Sequence, residues 1–153
     1  ILRSPLVYGP NAGGNFATLV RAVIKRWPIP LGAVANLRSL VYVGNLVSAI
    51  VQCLVHPSAR GKTFFVSDGE DLSTVELVRR MAEAAGVVPR IFSCPLWCLH
   101  AAGVLTGRRQ IIERITDSLQ LDSEHIRQAL SWSPPFSVED GLRESMKSGS
   151  GSN

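Results

Sequence analysis

One abrupt change of period limits what this chain can fold into. Leu40 to Val43 is a short apolar, β-branched run. From Gly44 the apolar residues instead recur every three or four positions, at Leu46, Val47, Ile50, Val51, Leu54 and Val55. The first pattern is that of a strand, the second that of a helix with one apolar face. The switch is repeated on both sides. Ile1 to Tyr8 reads as a buried strand, with Pro5 marking a strand end or bend. After the loop Gly9–Gly14, Asn15 is placed to cap a helix whose stripe is Phe16, Leu19, Val20, Val23 and Ile24, stopped by Pro28. Lys62 to Ser67 is a second strong strand. Ser73 and Glu76 then form a capping box for a helix from Thr74 to Ala85. Strands alternating with helices predict an α/β layer arrangement with parallel pairing.

The rest is helical and irregular. Pro89 to Ser93 reads as a short strand, and Pro95 to Leu105 as a helix with proline in its first turn. Further helices are expected from Arg108 to Ile115, from Asp122 or Ser123 to Leu130, and from Val138 to Met146. Residues 1–147 are expected to form one unit and 148–153 (SGSGSN) a flexible tail.

Bulk properties narrow the function. Hydrophobic residues make up 46% and charged residues 18%, the balance of a globular chain. The net charge of +4 is scattered, with no basic run interleaved with aromatics, which argues against nucleic acid and suits a small anion. Cys53, Cys94 and Cys98 give an odd count without a zinc-like spacing, and Cys53 falls on an apolar helix face. No stretch is long and apolar enough to span a bilayer, and no signal peptide is visible, so a reduced cytoplasmic setting is expected. The chain starts with Ile, directly on a strand pattern, and reads as cut from something longer.

Individual sites are few. Gly9–Gly14 lies between a strand and a helix, where a phosphate cradle would sit, yet it fits neither G-x-G-x-x-G nor a P-loop. No nucleophile elbow, metal set or paired acid and base is present. Arg38 can offer a planar fork of donors to a phosphate or carboxylate, or be an ordinary surface arginine. Arg114 and Asp117 have the spacing of a surface ion pair, and Trp132 beside Pro134 and Pro135 that of a packing plug. Residue chemistry alone gives an anion-binding α/β unit.

Several motifs occur in a telling order: Leu2-Arg-Ser-Pro-Leu-Val-Tyr-Gly-Pro10, Asn15-Phe16, Pro30-Leu-Gly32, Arg38-Ser-Leu-Val-Tyr-Val43 and Leu46-Val-Ser-Ala-Ile50. Gly61-Lys-Thr-Phe-Phe-Val-Ser-Asp68, Leu72-Ser-Thr-Val-Glu-Leu77 and Leu130-Ser-Trp-Ser-Pro-Pro135 follow. The series resembles the C-terminal half of the extended short-chain dehydrogenases/reductases, the NAD-dependent nucleotide-sugar epimerase/dehydratase family, with the flavour of bacterial UDP-sugar 4-epimerases and 4-keto reductases. The resemblance implies late strands of a Rossmann-like sheet together with a helical substrate-binding lobe. It places Ser4, Pro5 and Leu6 near the nicotinamide of NAD. It implies Asn15 and Phe16 at the nucleotide and its diphosphate, Ile29 and Leu31 along the uracil, and Arg38 as a clamp on the diphosphate. Arg114 and Asp117 would lie near the ribose or phosphate of a UDP-sugar.

Two positions depart from the family pattern: Gly44 stands where many members have an acidic residue, and Leu6 where the epimerases have asparagine. The Gly-rich cofactor loop and the Tyr-x-x-x-Lys pair are both missing, since Ala12 and Leu46 stand four residues after Tyr8 and Tyr42. The expectations are therefore a nucleotide-sugar-binding portion, no catalytic residue, no NAD held by this chain alone, and either self-association or a missing half. A non-enzymatic interaction module is the alternative.

Overall fold

The computed structural model describes residues 1–107 and 109–150, residue 150 by its backbone only. The expected helix start at Arg108 and the tail positions 151–153 lie outside the described residues. In order, the elements are β1 (Leu2–Arg3), β2 (Leu6–Tyr8), α1 (Gly14–Ile24), β3 (Pro28–Ile29), β4 (Arg38–Tyr42) and α2 (Val43–Val55). After them come β5 (Phe64–Phe65), β6 (Asp71–Leu72), α3 (Thr74–Ala84), β7 (Arg90–Ile91), α4 (Leu96–Leu105), α5 (Arg109–Thr116), α6 (Glu124–Leu130) and α7 (Val138–Ser150).

The strand expected from Ile1 to Tyr8 is broken in two. Its halves take different partners: β1 runs parallel to β5, and β2 runs parallel to β4 with Leu6 opposite Leu40 and Tyr8 opposite Tyr42. The break falls at Ser4-Pro5, where proline has no N–H to give to a ladder. β3 pairs in parallel with β7, while β6 adds to the other side of β4 in antiparallel sense. The pairing is thus mostly parallel within an α/β arrangement.

Two apolar clusters fill the interior. One joins Tyr8, Phe16, Val20 and Val23 to Val78 and Met81 of α3 and to Leu142 and Met146 of α7. The other packs Val41 and Ala49 against Phe64, Val66, Ile126, Leu130 and Trp132. Trp132 is a plug, buried and donating its indole N–H to Ser48 Oγ at 3.2 Å. α7 continues to Ser150, beyond the expected end at Met146. Its Ser148 hydroxyl bonds Asn11 Oδ1 at 2.8 Å, so the helix enters the stretch expected to be tail.

α2 forms where its sequence requires, but its stripe points the other way. Only Asn45 and Ala49 are buried, while Val47 is 53% exposed, Leu54 80% and Val55 70%. Cys53, expected inside, is half-buried. Ala49, Leu46 and Cys53 tie α2 to the second apolar cluster, and polar bonds add to this hold. Asn45 Nδ2 donates to Asp68 Oδ1 at 2.8 Å and to the Phe136 carbonyl at 2.9 Å, and Asn45 Oδ1 accepts from the Phe136 N–H. The Asp68 carboxylate also accepts from the Tyr42 N–H and the Tyr8 hydroxyl. Burial pushes the Asp68 carboxyl above the usual carboxylate range despite these donors, and burial together with the Asp68 charge keeps Tyr8 protonated.

Candidate anion-binding cleft

A cavity of about 350 Å³ opens where the start of α1, the start of β4, the start of α3 and the end of α5 meet. Its walls are mainly apolar, from Leu6, Phe16, Leu40, Leu72 and Leu77. Arg38 and Arg114 supply charge, and among the described residues no aspartate or glutamate lines it. Two eleven-residue helices, α1 and α3, start at its rim, where free N–H groups and the positive dipole end favour an anion.

Each element reaches the cleft for a local reason. α1 starts two residues earlier than expected, at Gly14, which takes φ +65°, a conformation that costs glycine little. Gly13 is therefore the N-cap and makes no side-chain cap bond. Asn15, expected to cap, lies inside the helix with its side chain on the cleft wall. At α3 the Ser73 hydroxyl does accept from the Glu76 N–H, at 3.0 Å. The Glu76 carboxylate does not return to the cap and pairs with Arg80 instead.

Arg38 is the first residue of β4. Its Nη1 donates to the Asp117 carbonyl at 3.4 Å, a long bond, and its Nε is buried without a partner. A buried guanidinium N–H without an acceptor is costly, and an anion in the cleft is a natural acceptor. Arg114, on α5, is exposed and makes no ion pair with Asp117 among the described residues.

Of the residues singled out in the sequence, Leu6, Asn15, Phe16, Arg38 and Arg114 share this cleft. Asp117 faces Arg38 through its backbone carbonyl rather than its carboxylate. Ile29 and Leu31 are 5% and 6% exposed and belong to the core, not to the cleft wall. Ser4 is exposed and Pro5 half-buried, and neither lines the cleft.

Sequence reasoning missed Asn36. Buried, it donates to Thr74 Oγ1 at 2.9 Å, to the Ile115 carbonyl at 3.0 Å and to the Asp117 carbonyl at 3.2 Å, and it accepts from the Thr74 N–H. One amide thus ties the segment ahead of Arg38 to the start of α3 and the end of α5. The available signal was an asparagine two residues before Arg38 with no helix of its own to cap.

The description "3-beta hydroxysteroid dehydrogenase/isomerase family" fits residues 1–96. A UDP-glucose 4-epimerase from Vibrio cholerae is 42% identical over 145 residues, covering 94% of this chain and 44% of that protein. A Thermus thermophilus UDP-glucose 4-epimerase, solved in complex with NAD, superposes with a TM-score of 0.72 at 25% identity, over 99% of this chain and 46% of that one. A Bacillus anthracis dTDP-glucose 4,6-dehydratase shares the fold, with a TM-score of 0.72 at 18% identity, over 99% and 44%. The chain spans less than half the length of these relatives. With the family match over residues 1–96 and the order of its motifs, the chain belongs to the 3-beta hydroxysteroid dehydrogenase/isomerase family, within the extended short-chain dehydrogenase/reductase fold.

Proposed function

We propose that this chain is the nucleotide-sugar-holding portion of an NAD-dependent epimerase, dehydratase or 4-keto reductase, and that its cleft takes the diphosphate of a UDP-sugar. The observation that carries this reading is the unpartnered Nε of Arg38, in a cleft shared with Arg114 and two helix starts and free of carboxylates. In this reading Arg38 and Arg114 hold the phosphates. Asn15 adds a hydrogen bond from the start of α1, and Phe16 and the leucines cover the apolar face of the base. Relatives solved with UDP-glucose, from Thermotoga maritima, and with UDP-glucuronic acid and NAD, from Bacillus cereus, point to the same ligand class.

The chain's own residues do not fit NAD. Around Ser4–Leu6 only Leu6 reaches the cleft, and no Gly-rich loop or Tyr-x-x-x-Lys pair is present to cradle a dinucleotide or move a proton. By itself, then, the chain binds without turning over.

Calorimetry with UDP and UDP-glucose tests the proposal. Binding should be measurable, and Arg38→Ala should weaken it about tenfold or more, the scale of one charge-assisted hydrogen bond. No heat with either ligand, or equal affinity in Arg38→Ala, defeats it.

A second reading is favoured by one observation, the uncovered stripe of α2. There the chain is an interaction module whose α2 face meets another copy or the remaining half of the fold. Light scattering that shows a monomer at all concentrations counts against self-association.

A further inference from the structure

Two arginines among the described residues bury an Nε that has no partner, Arg38 and Arg127. Arg38 belongs to the cleft already described. We propose that Arg127 anchors a second binding site, one for a small zwitterion that carries a carboxylate and an ammonium, as a free α-amino acid does.

The sequence offers Arg127 an easy partner. Glu124 lies three residues before it on α6, the spacing of a surface ion pair. The fold does not make that pair. Glu124 Oε1 accepts from Gln128 Nε2 at 3.1 Å, and the Arg127 side chain has no hydrogen bond or ion pair among the described residues. The guanidinium lies instead against the loop between β5 and β6. Gly69 there takes φ +86°, and a Cβ added to it would run into Arg127 Nη2. Glycine thus leaves the space in which the guanidinium sits.

The cavity beside it measures about 220 Å³ and is mainly polar. That is below the roughly 300–1,000 Å³ of sites for drug-sized ligands, so its occupant is small. Its donors and its acceptors are both incompletely used. Ser67 and Ser123, 2% and 6% exposed, share one hydrogen bond of 3.0 Å between their hydroxyls, and the Gly69 N–H donates to Ser67 Oγ. Two hydroxyl protons with one bond between them leave one O–H to give. On the acceptor side, both oxygens of Asp71 are engaged, by Ser39 and by Gln120. Asp122 and Glu124 each have one oxygen engaged, by the Glu124 N–H and by Gln128, and one without a partner among the described residues.

That inventory selects the ligand. A dianion such as phosphate suits Arg127 but meets the carboxylates of Asp71, Asp122 and Glu124. A plain cation suits the carboxylates but leaves the guanidinium unpaired. A sugar offers hydroxyls to both, yet among the described residues no aromatic side chain lines the cavity to pack on its ring. A zwitterion satisfies both sides. Its carboxylate takes two parallel N–H bonds from the Arg127 fork and the remaining serine O–H, and its ammonium donates to Asp122 and Glu124. The cavity shares no lining residue with the cleft of Arg38, so the inference does not depend on what that cleft binds.

Nuclear magnetic resonance of the Arg127 Nε–H group is the test, with L-alanine as the probe and acetate and ethylammonium as its two halves. L-Alanine should shift that resonance with a Kd on the order of 1 mM, and each half alone should bind about tenfold more weakly or worse. Arg127→Gln should abolish alanine binding, read from the backbone amides of Gly69 and Ser123. Asp122→Asn keeps an oxygen for the Glu124 N–H, and it should weaken alanine about threefold or more without weakening acetate. Circular dichroism checks that both variants fold. The proposal is overturned if alanine shifts nothing, because water alone would then fill the cavity. It is also overturned if acetate or phosphate binds as tightly as alanine, which would make this a plain anion site, or if alanine binds Asp122→Asn as it binds the wild type.

Discussion

α3 and α2 carry apolar stripes of the same helical period, and the fold treats them in opposite ways. Val75, Leu77, Val78, Met81 and Ala82 of α3 are all buried, because α1 and α7 pack against it. α2 touches β2 and β4 along the side that carries Asn45 and Ala49, and leaves Val47, Ile50, Val51, Leu54 and Val55 outside. The difference shows that periodicity records a face that needs cover, not where the cover comes from. For α3 the cover lies elsewhere in the same chain, in α1 before it and α7 after it. For the outer face of α2 none of the described residues supplies it, and the matched relatives carry more than half their length outside the region shared with this chain.

The sharpest break of this contrast is a matched pair of truncations. Met81 is fully buried, so Met81→Ala should cost about 2–5 kcal/mol as lost burial and a cavity add up. Val51→Ala, at a position 53% exposed, should stay within about 0.5 kcal/mol. Urea unfolding midpoints read both. Equal losses at the two positions would mean that α2 is covered in solution, by self-association.

The next largest effect concerns what anchors α3 at its N-terminus. Asn36→Leu leaves the Thr74 N–H and the carbonyls of Ile115 and Asp117 without their amide partner, at a cost of about 2–3 kcal/mol. The same change should weaken UDP binding, because the segments carrying Arg38 and Arg114 lose their common tie. Full stability with weakened binding, or the reverse, would separate the two roles assigned to Asn36.

The tie that holds α2 includes a buried carboxylate, Asp68, so it should respond to pH. Asp68 is raised in the folded state by burial, against the pull of Asn45, the Tyr42 N–H and Tyr8. A raised folded value favours the protonated form, so this group's contribution is complete below the ordinary carboxylate pKa and is lost as pH rises through the raised one. Asp68→Asn should therefore cost about 1–2 kcal/mol, because an amide cannot accept from all three donors. It should also remove the part of the wild-type decline in stability that occurs as pH rises from the acid range towards neutral. Chemical denaturation at several pH values, comparing slopes rather than absolute stabilities, checks both.

Much of this contrast was legible in the sequence, and the illegible part has a physical cause. The positions of α2, α3 and α4 and the break at Pro5 rest on local signals: period, caps and a missing N–H. The convergence of Arg38, Asn15 and Arg114 on one cleft followed only from the resemblance of the ordered motifs to a family, not from a local signal. The placement of Ile29 and Leu31 in the core and the outward turn of α2 depend on which faces find partners, and no window of sequence contains that. Asn36 was invisible for the same reason, since its partners Thr74 and Ile115 are distant in sequence. Asn15 failed as a cap because Gly14 could adopt a backbone turn that spacing rules do not anticipate.

The smallest effect lies on the outer side of α3. There Arg80 meets Glu70 at 2.6 Å, Glu139 at 2.7 Å and Glu76 at 3.1 Å, so α3 shows solvent a network of charges where α2 shows solvent valines and leucines. The Arg80 side chain is 23% exposed, but its partners range from 39% to 56%, so water and salt screen the pairs strongly. Arg80→Ala should cost about 0.5–1 kcal/mol at low ionic strength, and less as salt rises. A larger, salt-independent loss would show that Arg80 works through packing of its aliphatic stem, tying α3 to α7 as part of the core. The contrast with α2 would then rest on two covered faces of α3 rather than one.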